Sequence, residues 1–284
     1  MAIATSQQIS QYYEMYKDTE VTFTRDIIRT LSMDPRQIYI KCSGGQWPCI
    51  INSTSFVAAK IIVGTKGGAF QQLAQTEAAS CSLRFCFFLD DNQILSFFIS
   101  GHVSSIRLMD GQSDLALVTI EFSQRPPDDL IEMIGHLLDA NSNFIKRKDT
   151  RIIINAETKR VLTLQKAETI IKIDSVPRNC IMRDISFGGA KVILMGMAQF
   201  LQNKPIELLV SFEDPKETFS LKGTIVRIEE IQGRRDIIAV NIKYDEASIP
   251  LSYKMHINDF ISESRKRQLL SSLIEDDQTV NNPV

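Results

Sequence analysis

Two kinds of hydrophobic pattern alternate along this chain. Up to about Asp34 the apolar positions fall at helical spacing, with Ile9, Tyr12, Tyr13 and Tyr16 in one stretch and Ile27 and Ile28 in a second; Pro35 then stops helix. From 37 to 122 the pattern shortens into β-rich runs at 38–41, 49–51, 59–63, 82–88, 94–99, 102–107 and 115–122. Turn signals separate many of them: Ser43-Gly44-Gly45, Lys66-Gly67-Gly68, Asp90-Asp91-Asn92 and Asp110-Gly111. Pro126-Pro127-Asp128-Asp129 opens a helix with Leu130, Ile131, Ile134, Leu137 and Leu138 on one face, and 139–143 reads as a polar linker. A second β-rich region runs from 151 to 244. Pro250 opens a last helix carrying Met255, Phe260, Ile261, Leu269, Leu270 and Leu273, and the polar tail 275–284 is expected to be disordered. The expected divisions are therefore 1–140, 141–250 and 251–284.

The chain also repeats itself. The run from Cys49 to Lys60 lies without gaps over Cys180 to Lys191, a shift of 131 residues. The run from Gly101 to Phe122 lies over Gly223 to Tyr244 at a shift of 122. Each block precedes a helix, so the text reads as two copies of one β unit. The copies differ where chemistry would sit: the second has Asp184, Ser186, Gly188 and Gly189, and the first has Ser53, Ser55, Val57 and Ala58 in their places. A carboxylate accepts from N–H-bearing ligand edges, and glycine lets a ligand approach the backbone. The second copy looks like a site, the first like its degenerate partner.

Composition narrows the function. With 284 residues, 44% hydrophobic, 23% charged and a formal charge of −2, the chain has no global basic field for DNA or an anionic membrane. The beginning has neither a basic region nor a long apolar core, so no signal peptide is expected. The most apolar region, 81–99, is broken by Asp90, Asp91 and Asn92, so no membrane insertion is expected. Cys42, Cys49, Cys81, Cys86 and Cys180 form no Cys-x-x-Cys pair and are expected as buried, reduced thiols of a cytoplasmic protein. The three histidines, His102, His136 and His256, show no metal-ligand spacing, and no nucleophile or phosphate-loop motif is present, so no metal and no enzyme activity are expected.

One constellation carries chemistry. Arg147-Lys-Asp-Thr-Arg151 is an Arg-x-x-x-Arg pattern placed just before the second copy, on what reads as a mobile linker. Guanidinium forks fit phosphate oxygens and the O6/N7 edge of guanine. Asp184 and Ser186 alternate along a strand and are expected to share one face, with Gly188 and Gly189 keeping the backbone low beneath a ligand. Arg25-x-x-x-Arg29 in the first copy has no acidic or glycine partner and reads as a helix surface.

Arg147-x-x-x-Arg151 together with Asp184-x-Ser186-x-x-Gly189, followed by strands at 221–227 and 239–244, resembles a PilZ domain. The first half resembles the PilZ-like amino-terminal domain of spirochaete PilZ proteins, and the layout is similar to that of YcgR-type flagellar brakes. The resemblance implies a mainly β fold with flanking helices: two PilZ-type six-stranded β-barrels in tandem, joined by a helix and a short linker. It implies cyclic di-GMP as the ligand. Arg147 and Arg151 would hold guanine and phosphate, and Asp184, Ser186, Gly188 and Gly189 the other face; Arg183, Arg227 and Asn155 are further candidates. It also implies that the ligand changes the arrangement of the domains to regulate motility or virulence through a protein partner, the flagellar motor being the candidate. Two rival readings stay open: a nucleic-acid-binding protein, and an interaction scaffold without a ligand.

Overall fold

A computed structural model describes residues 4–74, 80–89, 93–165, 169–231 and 233–280, with 235 and 268–280 described by backbone alone. The Asp90-Asp91-Asn92 turn, the first three residues and the end of the tail, 281–284, lie outside these. The chain forms two compact units that meet in sequence between 138 and 139.

The first unit opens with α1 (Ser6–Tyr16), whose first turn is capped by the Thr5 hydroxyl. It continues with β1 (Val21–Thr22) and α2 (Arg25–Thr30). Then come β2 (Tyr39–Cys42), β3 (Gly45–Pro48), β4 (Ile50–Thr54), β5 (Ala58–Gly64), α3 (Gly68–Ala74), β6 (Ser80–Phe88), β7 (Ile94–Met109), β8 (Gln112–Phe122) and α4 (Asp128–Arg147). The two runs predicted at 94–99 and 102–107 are one strand, β7. Its first half pairs with β6 and its second with β8, and it turns that corner at Gly101, where a Cβ would strike the Glu121 carbonyl.

The predicted polar linker at 139–143 is helical. Ala140 and Phe144 continue the buried stripe of α4. The polar groups between them are satisfied in place: Asn143 donates to Asn258 at 2.8 Å and Asn258 donates to Asp139 at 3.0 Å. Asp128 and Asp129 in the first turn and Lys146 and Arg147 in the last complement the helix dipole. The non-helical connection shrinks to residues 148–151.

The second unit comprises the end of α4, β9 (Ile152–Ile153), α5 (Ala156–Val161), β10 (Thr169–Ile173), β11 (Val176–Ile185), β12 (Gly189–Met195), β13 (Pro205–Glu213), β14 (Lys216–Ile231), β15 (Arg234–Tyr244) and α6 (Leu251–Val280). Backbone of the tail expected to be disordered is thus helical as far as Val280. The strand order is β10-β13-β14-β15-β12-β11-β9, and a further pairing of β10 with β11 closes six of these strands into a barrel. Phe187, Phe212, Ile225 and Val240 fill it, and Tyr253, Ile257 and Ile261 of α6 complete the core.

The first unit does not close in this way, which corrects the expectation of two tandem barrels. Its eight strands run β1-β4-β5-β8-β7-β6-β2-β3, and among the described residues no pairing joins the ends of that ladder. The reason lies in one strand. Residues 45–54 correspond to 176–185 at the shift of 131, yet β11 is continuous and pairs on both sides, whereas its counterpart is split at Cys49 into β3 and β4. The split follows Pro48, which has no N–H to donate, where the second unit has Asn179. Among the described residues β3 then pairs only with β2, and β4 only with β1 and β5. The protein has one six-stranded barrel and one open sheet of the same strand order.

Candidate ligand-binding site

The segment from Arg147 to Arg151 is fastened rather than mobile. Arg147 ends α4, and its carbonyl accepts from the Thr150 N–H at 3.0 Å. The Gly188 N–H donates to the Lys148 carbonyl at 3.3 Å, the Lys148 ammonium pairs with Glu246, and β9 pairs with β11 so that Ile153 faces Asp184. Lys148 beside it holds the exposed Glu246 carboxyl below its ordinary value. Arg151 Nη1 donates to Asp184 Oδ1, so the structure brings together one member of each half of the motif.

Asp184 reaches Arg151 because β11 carries a bulge. Met182 and Ile185 both point inward, and strict alternation from Met182 would send Asp184 inward as well. The register against β12 slips between Met182 and Asp184, so Arg183 and Asp184 both leave the core. The Asp184 side chain is 16% exposed and Arg151 is 42% exposed, a partly sheltered pair at the barrel surface. Ser186 does not share that face. β11 ends at Ile185, and Ser186 is buried in the turn to β12, where its N–H and hydroxyl both donate to the Gly189 carbonyl, at 2.8 and 3.1 Å. Its own carbonyl accepts from the Tyr253 hydroxyl at 2.7 Å. Burial pushes the Tyr244 and Tyr253 phenols up, so both stay neutral.

The two glycines have separate reasons to be glycine. A Cβ on Gly189 would strike the Ile242 carbonyl where β12 meets β15, and a Cβ on Gly188 would lie 2.9 Å from Cγ of Lys148. Close packing of backbone on backbone already requires Gly189, whereas at Gly188 only a flexible side chain stands in the way. Asn155 is the N-cap of α5 in a reciprocal capping box with Thr158. Arg183 is exposed at the bulge, and its carbonyl accepts from the Ile154 N–H. Arg227 is exposed on β14, with Nε 3.5 Å from Glu229.

The sheet register adds residues that the linear motif did not point to. Asp184 lies opposite Lys191, Lys191 opposite Asn241, and Asn241 opposite Arg227. Lys191 and Asn241 both donate to Glu229, at 2.6 and 3.2 Å, and they hold its carboxyl below the ordinary value. A continuous polar row thus crosses four strands, starting from Arg151. Only pairing across strands assembles it.

The first unit has the same row with a different charge pattern. The gapless match at 131 extends upstream, so that Tyr16-Lys-Asp-Thr-Glu20 lies over Arg147-Lys-Asp-Thr-Arg151. The shared Lys-Asp-Thr is the signal that sequence reading passed over. Glu20 thus replaces Arg151, accepts from Ser53, and pairs with Lys60 at 2.7 Å. Those two contacts hold its carboxyl below the usual range. No guanidinium stands at either arginine position, and the one lysine of the pair is neutralised.

Among the described residues no group of three or more His, Cys, Asp or Glu is placed to hold a metal, and no helix is long and apolar enough to cross a membrane. The five cysteines are buried thiols outside any disulfide, and burial pushes Cys49 and Cys81 up to about 12.

A closed six-stranded barrel entered through an arginine-bearing segment and carrying an Asp-x-Ser-x-x-Gly turn is the architecture of a PilZ-type receptor domain. Residues 146–263 match the PilZ domain and residues 7–141 match the PilZN3 domain. A cyclic di-GMP binding protein of Treponema denticola is 45% identical over 268 residues, covering 94% of this chain and 85% of that protein. The chain belongs to the family of PilZ-domain cyclic di-GMP receptors with an amino-terminal PilZN3 domain. Among solved structures, the PlzA protein of Borreliella burgdorferi in complex with c-di-GMP is 24% identical, covers 90% of this chain and 98% of that chain, and gives a TM-score of 0.41. The inhibitor of motility MotI/DgrA of Bacillus subtilis is 12% identical, covers 82% and 95%, and gives a TM-score of 0.29.

Proposed function

We propose that this chain binds cyclic di-GMP on the outer face of the second unit, between the segment from Arg147 to Arg151 and the Asp184 to Gly189 turn. The observation that carries this reading is the contact between Arg151 and Asp184 at the start of a partly exposed polar row. Asp184 engages one Nη1 donor, and a guanidinium has five N–H donors. The carboxylate therefore orients Arg151 while an edge of its fork stays open to a phosphate or to guanine O6 and N7. Lys191 and Arg227 continue the polar row on either side of Glu229, and Arg147 supplies a second guanidinium at the end of α4. Ser186, Gly188 and Gly189 shape the turn that holds Asp184 in place. Asn155 contributes as a cap, and Arg183 sits beside the site. The first unit, with Glu20 at the place of Arg151, offers no matching cation.

Calorimetric titration of the full chain with cyclic di-GMP tests this directly. Saturable binding is expected, weakened about a hundredfold by Arg151→Ala and by Arg147→Ala, since each removes charge-assisted hydrogen bonds. Glu20→Ala is expected to leave affinity and stoichiometry unchanged. No heat and no thermal shift from the intact protein would end the receptor reading.

The output follows from the same proposal. Arg147 is the last residue of α4, so ligand capture engages the helix at the unit boundary. The bound ligand then selects one arrangement of the units, and its leverage equals its differential affinity for the arrangements. Small-angle scattering profiles that do not change at saturation would refute this. The partner that reads the arrangement is proposed to be a protein, with the flagellar motor as the candidate. Swimming that stays the same when Arg151→Ala replaces the intact protein in the cell would exclude it.

A further inference from the structure

The turn that carries the ligand motif has the same serine bond in both units, but the carbonyl of that serine is satisfied differently in each. In the first unit the Ser55 N–H donates to the Ala58 carbonyl at 2.8 Å, as Ser186 does to Gly189 in the second. The aromatic residue after the serine meets the corresponding ring in both units, in different orientations: Phe56 stacks on Tyr13 and Phe187 packs edge-on to Phe144, each with ring centroids 6.0 Å apart. The carbonyl of the serine points inward in both. In the first unit it accepts from its neighbour Thr54, at 3.0 Å. In the second, Thr54 is replaced by Ile185, which has no hydroxyl. The donor comes instead from α6, where Tyr253 reaches the Ser186 carbonyl at 2.7 Å. The position of Tyr253 corresponds at the shift of 122 to Ile131 of α4, which has no polar atom to give.

We infer that Tyr253 is a positioning residue that couples the seat of α6 to the ligand turn. Tyr253 is fully buried and Ser186 nearly so, so water cannot replace this bond when the two elements move apart. The Tyr253 ring is also fixed on two sides, edge-on to Phe219 at 5.8 Å and to Tyr244 at 6.1 Å. A rigid phenol therefore transmits displacement in both directions. Whatever clamps the turn clamps α6, and whatever moves α6 loosens the turn. In the first unit the same carbonyl is satisfied within its own strand, and turn and helix are uncoupled there. The ligand arm of this inference rests on the proposed binding of cyclic di-GMP at the turn; the link between Tyr253 and the turn does not.

Hydrogen exchange and calorimetry on three full-length proteins test it: the intact chain, Tyr253→Phe, and Tyr253→Phe combined with Ile185→Thr, which rebuilds the local donor of the first unit. Without ligand, the amides of Ser186 and Tyr244, which bond within and across the turn, are expected to exchange faster in Tyr253→Phe and to recover in the double variant. With ligand, Tyr253→Phe is expected to bind cyclic di-GMP about tenfold more weakly, as for one lost hydrogen bond, and the double variant to regain affinity. Ligand is expected to slow exchange across residues 254–261 of α6 in the intact chain and in neither variant. A role in general stability alone would raise exchange with and without ligand and leave the ligand-dependent difference in place. Unchanged turn exchange in Tyr253→Phe, or ligand-dependent protection of α6 that survives in the double variant, overturns the inference. Failure of the intact chain to bind cyclic di-GMP would sink the ligand reading and leave the ligand-free exchange to decide the link.

Discussion

At Gly189 a single methyl group would meet the Ile242 carbonyl, because β12 and β15 approach backbone to backbone there. Backbone cannot step aside as a side chain can. Gly189→Ala is therefore expected to destabilise the second unit by about 2 kcal/mol, a typical overpacking cost, before any ligand is added. Urea unfolding without ligand measures this. Gly188→Ala meets only the flexible stem of Lys148 and is expected to cost less. Glu20 gives a pH signature. Its folded carboxyl is held below its ordinary value by Lys60 and Ser53, so its contribution is present above the ordinary carboxylate range and is lost as pH falls through the lowered value. Glu20→Gln is expected to flatten the acid loss of stability of the first unit, checked by unfolding at pH 6 and pH 3. Cys49 and Cys81 act at the other end: with folded values pushed up to about 12, their contribution is complete below the ordinary thiol range and is lost as pH rises from there. Both thiols are expected to resist thiol reagents at pH 8 until the unit unfolds.

Among the elements, the helix from Asp128 shows how far pattern reading reaches. Its start was legible from Pro126-Pro127-Asp128-Asp129, but 139–143 read as linker because polar residues crowd there. Only the facing helix α6, through Asn258, shows why those groups can be helical and satisfied. The bulge in β11 is similar. Alternation from Asp184 to Ser186 predicted a shared face, and neither the slip at Arg183 nor the end of the strand at Ile185 has a marker in the local sequence. Asn155 was legible as a polar residue near the motif, and its geometry is that of a cap. Asn155→Ala is expected to lower stability by about 1 kcal/mol and to leave the affinity for cyclic di-GMP within a factor of about two. Thermal unfolding and titration of the same preparation check both halves. A large loss of affinity without a stability change would return Asn155 to the ligand face.

Across the whole molecule, two units share a strand order but only the second closes its ladder and carries the arginines. Ligand added at about a hundred times its dissociation constant is expected to stabilise that second unit by about 2.7 kcal/mol. Hydrogen exchange read strand by strand is expected to slow in β11, β12 and β15 and to leave β5 and β8 unchanged. Equal protection of both units would show that the open sheet also takes part in binding. The internal repeat was readable from gapless matches, and the family from two short motifs, because each depends on residues close together in the chain. The open first unit was not readable, because closure depends on whether one strand can pair on both sides.

By itself, the sequence determined the helical and β-rich regions, the duplication, the loss of the carboxylate and glycines from the first copy, and the membership that the Arg-x-x-x-Arg and Asp-x-Ser-x-x-Gly motifs announce. All of these are local or periodic properties, written in spacings of a few residues. Tertiary structure alone decided that Ser186 turns inward while Asp184 turns out, and that Lys191, Asn241 and Arg227 continue the row begun by Arg151. It also decided that the carbonyl beneath the ligand turn is held from α6. Those facts depend on register, on bulges and on contacts between residues up to 67 positions apart, as between Tyr253 and Ser186. A chain read in order carries no record of which distant groups will meet, because the packing that brings them together depends on every strand in between.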